Sequence, residues 1–186
     1  MPYERLEFLT LNFSVLQGLR IVPLGALLVG WKLIEPVWVK SNLRDTAQLV
    51  LAAAAVAAFF LIGRYYENRF GRVRSRRNAA WAALFLLALL ASAGLDDFTN
   101  PPISWSALLL AFFFAGGVAA SQGRRWHLLV PTAAFIFLSV LPAAGAVSAA
   151  AVNDRLAPIT FGCALVFTGV LDHFLLIRTL REAPDA

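Results

Sequence analysis

Between Arg64 and Arg77 the chain reads RYYENRFGRVRSRR, six arginines against the single acid Glu67. Long apolar runs flank this stretch on both sides. Six guanidiniums do not enter hydrocarbon, and in a membrane protein such a cluster stays on the cytoplasmic face. That placement orients every other segment.

Composition makes the membrane reading the natural one. Of the 186 residues, 60% are hydrophobic and only 15% charged, with a mean hydropathy of +0.72. Soluble domains of this size sit near half apolar and a quarter charged. The apolar excess also falls in blocks of roughly 17 to 25 residues, the length that crosses about 30 Å of hydrocarbon. The expected fold class is all-α, a polytopic six-transmembrane-helix bundle forming one integral membrane domain over residues 1–186, with both termini cytoplasmic.

The segments read as follows. Residues 3–13 form an interfacial lead-in, and spans follow at about 14–34, 46–63, 79–95, 105–120, 128–152 and 159–177. Span one contains Arg20 and Pro23, and span five contains Pro131 and Pro142. Proline inside a helix removes a donor and bends the axis, so these two spans are the ones expected to kink. EPVWVKSNLRD, DDFTNPPIS and NDRLAP make three outer turns, each rich in turn-forming Asn, Asp or Pro. SQGRRWH makes a second, shorter inner turn. With this threading, eleven basic residues lie inside, four lie outside, and Arg20 is left within a span. The bias fits a bacterial-type cytoplasmic (inner) membrane. No early basic region precedes the first apolar run, so a cleaved signal peptide is not expected.

The net charge of +5 does not point to nucleic acid, because the cations sit in short loops between apolar blocks. Anionic lipid headgroups are the nearer partner. The surface formed by Arg64, Arg69, Arg72, Arg74, Arg76 and Arg77 is therefore read as a lipid contact, or as a docking site for a cytoplasmic protein subunit. Homo-oligomerisation is a further expectation. The single Cys163 lies inside an apolar block and reads as a small buried side chain. No cofactor or metal motif occurs, and no nucleophile elbow, phosphate loop or Cys-x-x-Cys.

Arg20 is the most informative single residue. It lies about 9 Å inside span one at roughly 1.5 Å per residue. A charge at a helix centre costs about 2.5 to 3.5 kcal/mol on insertion scales. Asp172 in span six falls at the same leaflet depth, which makes it the expected partner. Thr10, Ser14, Gln17 and Arg20 share one helix face by their spacing, and Thr168 lies one turn before Asp172. Arg20, Asp172, Gln17, Ser14 and Thr168 are thus read as a polar ligand-binding pocket in the inner leaflet. The competing reading is a structural ion pair, with Arg20 reaching toward the headgroups.

Two weaker sites follow from the same reading. His127 and His173, both at inner-leaflet ends, are the only histidines that could ligate a haem or metal. Asp96, Asp97, Asn100, Asn153 and Asp154 offer outer-face oxygens for a hard cation.

The expected function is non-enzymatic: a membrane subunit of a larger transport or signalling complex. In size and span count the chain resembles the substrate-binding membrane subunits of energy-coupling-factor vitamin transporters, and no motif of that family is present. A small lipid-modifying membrane enzyme using Asp172 or His173, or a membrane sensor domain, are the alternatives.

Overall fold

The computed structural model describes residues 16–38, 44–70 and 77–181. These residues are all-helical, with no strand among them. Six helices follow a short 3-10 turn at Gly18–Arg20: α1 (Val22–Trp38), α2 (Arg44–Phe70), α3 (Arg77–Thr99), α4 (Trp105–Ala120), α5 (Leu129–Val140) and α6. Helix α6 is continuous through Ala149–Ala151, a π turn at Val152–Leu156, and Ala157–Arg181.

Two of these helices are long and apolar enough to cross a membrane: Gln48–Arg69 within α2, and Ala149–Leu180 within α6. At about 1.5 Å per residue the whole of α2 runs to about 40 Å, well beyond one hydrocarbon thickness. Helices α4 and α5 are apolar but shorter.

The helix boundaries depart from the sequence reading where proline is concerned. Pro23 and Pro131 do not kink spans, because each lies in the first turn of its helix. A missing N–H costs nothing there, since first-turn donors have no intrahelical acceptor. Residues 17–21 consequently leave the α-helix, and Arg20 sits in a 3-10 turn just before α1. Its N–H donates to the Gln17 carbonyl at 3.1 Å.

The third outer turn also moves. NDRLAP is helical, not a turn. Pro158 cannot donate to the carbonyl four residues back, and the backbone widens by one residue to accommodate it. The Ala157 N–H donates to the Val152 carbonyl, an i to i+5 bond. The chain instead turns at residues 141–148. There Gly145 takes φ +69, its N–H donates to the Pro142 carbonyl at 3.0 Å, and Ala146 N–H to the Leu141 carbonyl at 3.4 Å. That pair of bonds is the Schellman arrangement, which needs a left-handed residue at the position of Gly145.

The turn after α4 uses the same device. Gln122 N–H donates to the Ala119 carbonyl and Gly123 N–H to the Val118 carbonyl, both at 3.0 Å, with positive φ at Gln122 and Gly123.

Helix α2 runs seven residues past the expected end of span two, because Arg64 to Phe70 carries no helix breaker. Arg64 and Arg69 are therefore helical and exposed, and Arg77 opens α3. Arg72, Arg74 and Arg76, the lead-in 3–13, Ser14 and Thr10 lie outside the described residues.

The chain divides into two compact units, Met1–Arg74 with Gly162–Ala186, and Ser75–Phe161. In the first, the 3-10 turn and α1 cross α6 at glycines. A methyl placed on Gly25 would lie 2.6 Å from the Gly162 carbonyl oxygen, and one on Gly162 would lie 2.6 Å from that of Gly25. Gly18 and Gly169 repeat this reciprocal contact seven residues away on each strand of the crossing. Backbones approach so closely only where side chains are absent, the usual way helices associate without a hydrophobic driving force. A small apolar cluster of Leu16, Tyr66 and Leu176 closes the same unit.

In the second unit α4 packs most extensively on α5. Its centre is aromatic. Phe114 stacks on Phe135 with ring centroids 5.8 Å apart, Phe161 meets both rings edge-on or tilted, and Phe85 stacks on Phe113 at 4.3 Å.

Outside these cores, large apolar side chains face outward along the helices. They include Leu49, Val56, Phe60 and Leu61 on α2, Leu87 and Leu90 on α3, Phe112 on α4, Phe137 on α5, and Phe167 and Phe174 on α6. Monomeric soluble proteins rarely leave such continuous apolar surface uncovered.

Candidate functional site

In the first unit the stretch 17–21, with its 3-10 turn, lies against α2 and α6. Gln17 and Thr168 are buried, and Asp172 is completely buried. The break exists because Pro23 starts a new helix, and it can lie against α6 because Gly18 and Gly169 carry no side chains. The Cβ of Asp172 borders the space a side chain at Gly18 would need.

Arg20 turns toward α2. Its Nη1 donates to Gln17 Oε1 at 3.3 Å, and its Cζ lies 4.5 Å from the centre of the Phe59 ring. A methyl on Gly63 would meet Arg20 Nε, Cζ and Nη2 at 2.8 to 3.0 Å, so this glycine, one turn after Phe59, is the seat of the guanidinium. The ion pair with Asp172 read from the sequence is not among the contacts Arg20 makes. Arg20 is half-buried, and its Nε is buried with no hydrogen-bond partner.

Thr168 is not aimed into a pocket by free choice. Its Oγ1 donates to the Ala164 carbonyl at 2.7 Å, the back-bonding usual for threonine in membrane helices. Gln17, Arg20, Thr168 and Asp172 thus belong to one unit and surround the same break and crossing, with Arg20 seated on α2 and Asp172 under Gly18. Ser14 lies outside the described residues.

Tyr66 is the site residue the sequence did not single out. In the structure it is fully buried, and its hydroxyl is hydrogen-bonded to His173 Nδ1 at 2.6 Å. Which atom donates depends on the imidazole tautomer. No short-range pattern could reveal a contact spanning 107 residues. Its ring also meets the His173 imidazole edge-on. His173 is therefore held by α2, and His127 is buried in the 3-10 turn Trp126–Leu128 of the other unit.

The outer-face oxygens serve the fold. Asp96, completely buried, accepts from Trp105 N–H at 2.8 Å, Ser106 N–H at 2.9 Å, Ser104 Oγ at 2.9 Å and Ser106 Oγ at 2.6 Å. A carboxylate at the start of α4 satisfies donors that have no intrahelical acceptor and complements the helix dipole. Asp97 accepts from Asn153 Nδ2 at 3.0 Å, and Asn100 Oδ1 accepts from Ala149 N–H at 3.1 Å. Among the described residues no group of three His, Cys, Asp or Glu side chains gathers as a metal-ligand set. Cys163 is exposed on α6, against the expectation that it is buried; the small-residue face at that level is taken by Gly162 and Ala164.

The described residues define an all-helical fold with two helices long and apolar enough to cross a membrane and a polar 3-10 turn ahead of α1. Comparison with family models, curated proteins and solved structures gives no match to this chain.

Proposed function

We propose that this chain is a six-crossing integral membrane protein of a bacterial-type inner membrane, a non-enzymatic subunit of a transport or signalling assembly that binds a small ligand at the 17–21 break. All six helices would cross, with residues 71–76 and 121–125 cytoplasmic and residues 39–43, 100–104 and 141–148 outside. The large apolar side chains exposed on each helix from α2 to α6 support a lipid surrounding.

The observation that carries the ligand reading is the break itself. Backbone leaves the α-helix at membrane depth only where protein or a polar cavity satisfies it, and discontinuous helices in transporters mark the binding site. What supports the reading is that Gly18, between Gln17 and Arg20, packs on Gly169 and borders the Cβ of the buried Asp172 on α6.

The exposed Arg64 and Arg69, with Arg72, Arg74, Arg76 and Arg77 following, form the cytoplasmic surface that meets anionic headgroups and a partner subunit. Mild detergent extraction of the tagged chain tests the subunit role. A stoichiometric cytoplasmic protein that co-purifies, and is lost when Arg64 and Arg69 become glutamine, is the expected result. Extraction of the chain alone, with lipid turnover by the purified protein, would instead favour an enzyme.

A further inference from the structure

Among the described residues the charge on Arg20 has no acid in contact. Its neighbours there are a neutral amide oxygen, the face of Phe59 and the backbone of Gly63, and its buried Nε finds no acceptor among them. A guanidinium placed among apolar helices is costly unless an anion or water compensates it. Cation–π stacking on Phe59 offsets part of that cost and fixes the plane of the group. Gly63 fixes its position.

We infer that Arg20, seated on Phe59 and Gly63, is the binding residue for a phosphate oxyanion carried by an amphiphile. This rests on the proposed ligand site at the break and names its ligand class. A guanidinium presents its N–H groups as a planar fork that matches a phosphate, and the two pair with charge-assisted bonds. Arg20 is half-buried, so the residue as a whole is not closed off from the surface, while its Nε is buried. The surrounding surface is apolar, with Phe60 and Leu61 exposed on the adjoining turn of α2, which favours a ligand bearing acyl chains.

The test is native mass spectrometry of the full chain released from nanodiscs of phosphatidylglycerol mixed with phosphatidylcholine. We expect about one phosphatidylglycerol per chain, and at least a tenfold weaker retention in Arg20→Gln, with Arg20→Lys intermediate because it keeps charge but not the fork. Gly63→Ala removes the seat without touching the charge, and should weaken retention severalfold even if Arg20→Gln folds poorly. Adding inorganic phosphate distinguishes the sources: displacement of the lipid at millimolar phosphate means the site takes the free anion as well. Equal retention by wild type, Arg20→Gln and Gly63→Ala overturns the inference. Failure of the chain to enter nanodiscs at all would instead count against the membrane reading on which it rests.

Discussion

Gly18 and Gly169 meet backbone to backbone, each occupying the space a Cβ on the other would need. Together with Gly25 and Gly162 they set how closely the start of the chain approaches α6, and therefore where the polar break lies. Gly162 and Gly169 are seven residues apart on α6, so one face of that helix carries both contacts.

Gly162→Val and Gly169→Val should each destabilise the protein by about 1 to 3 kcal/mol or more, the cost of overpacking a closed contact. Gly30→Ala is the control, because a methyl there meets nothing within 4 Å. It should be neutral or stabilise by up to about 1 kcal/mol through helix propensity. Thermal unfolding in detergent of the three variants checks the contrast.

Asp96→Ala should cost about 1 to 3 kcal/mol, because four donors at the start of α4 lose a buried acceptor. Asp96→Asn should cost less, since one oxygen remains. Denaturation of the two variants side by side should show this order. Equal loss would mean that only the charge matters.

Tyr66→Phe keeps the buried ring and removes the 2.6 Å hydrogen bond to His173. The expected loss is about 1 kcal/mol. Proton chemical shifts of the His173 imidazole should move in this variant, and should stay unchanged in Tyr65→Phe.

Gly145→Ala should destabilise by about 1 kcal/mol, since its φ of +69 suits only glycine well. Pro158→Ala should leave α6 continuous and be tolerated, because the helix already passes through that position. Circular dichroism and melting of both variants would show whether the chain turns at 141–148 or at the NDRLAP segment.

Much of this arrangement is legible without coordinates. The all-helical class and the bounds of α4 follow from apolar block length. The positions of prolines are legible, but their effect is not. Pro23 and Pro131 start helices and Pro158 is absorbed by a π turn, outcomes that depend on which carbonyls find other donors. The pairing of Arg20 with Asp172 rested on equal depth alone, and depth does not say which way a side chain turns. Phe59 and Gly63 draw Arg20 to α2, an attraction readable only once α2 is known to lie beside the break. Tyr66 with His173, and Asp96 with the start of α4, are contacts between segments that no local pattern links.

The proposed threading puts the arginine-dense segment 64–77 in the cytosol and the turns after α3 and α5 outside. In a Cys163→Ser background, Gly71→Cys, Phe98→Cys and Ala143→Cys can be labelled on intact cells with a membrane-impermeant maleimide. Labelling of Phe98→Cys and Ala143→Cys in intact cells, with Gly71→Cys labelled only after lysis, is the predicted result. Labelling of Gly71→Cys from outside, or of Phe98→Cys and Ala143→Cys from opposite sides, would contradict it.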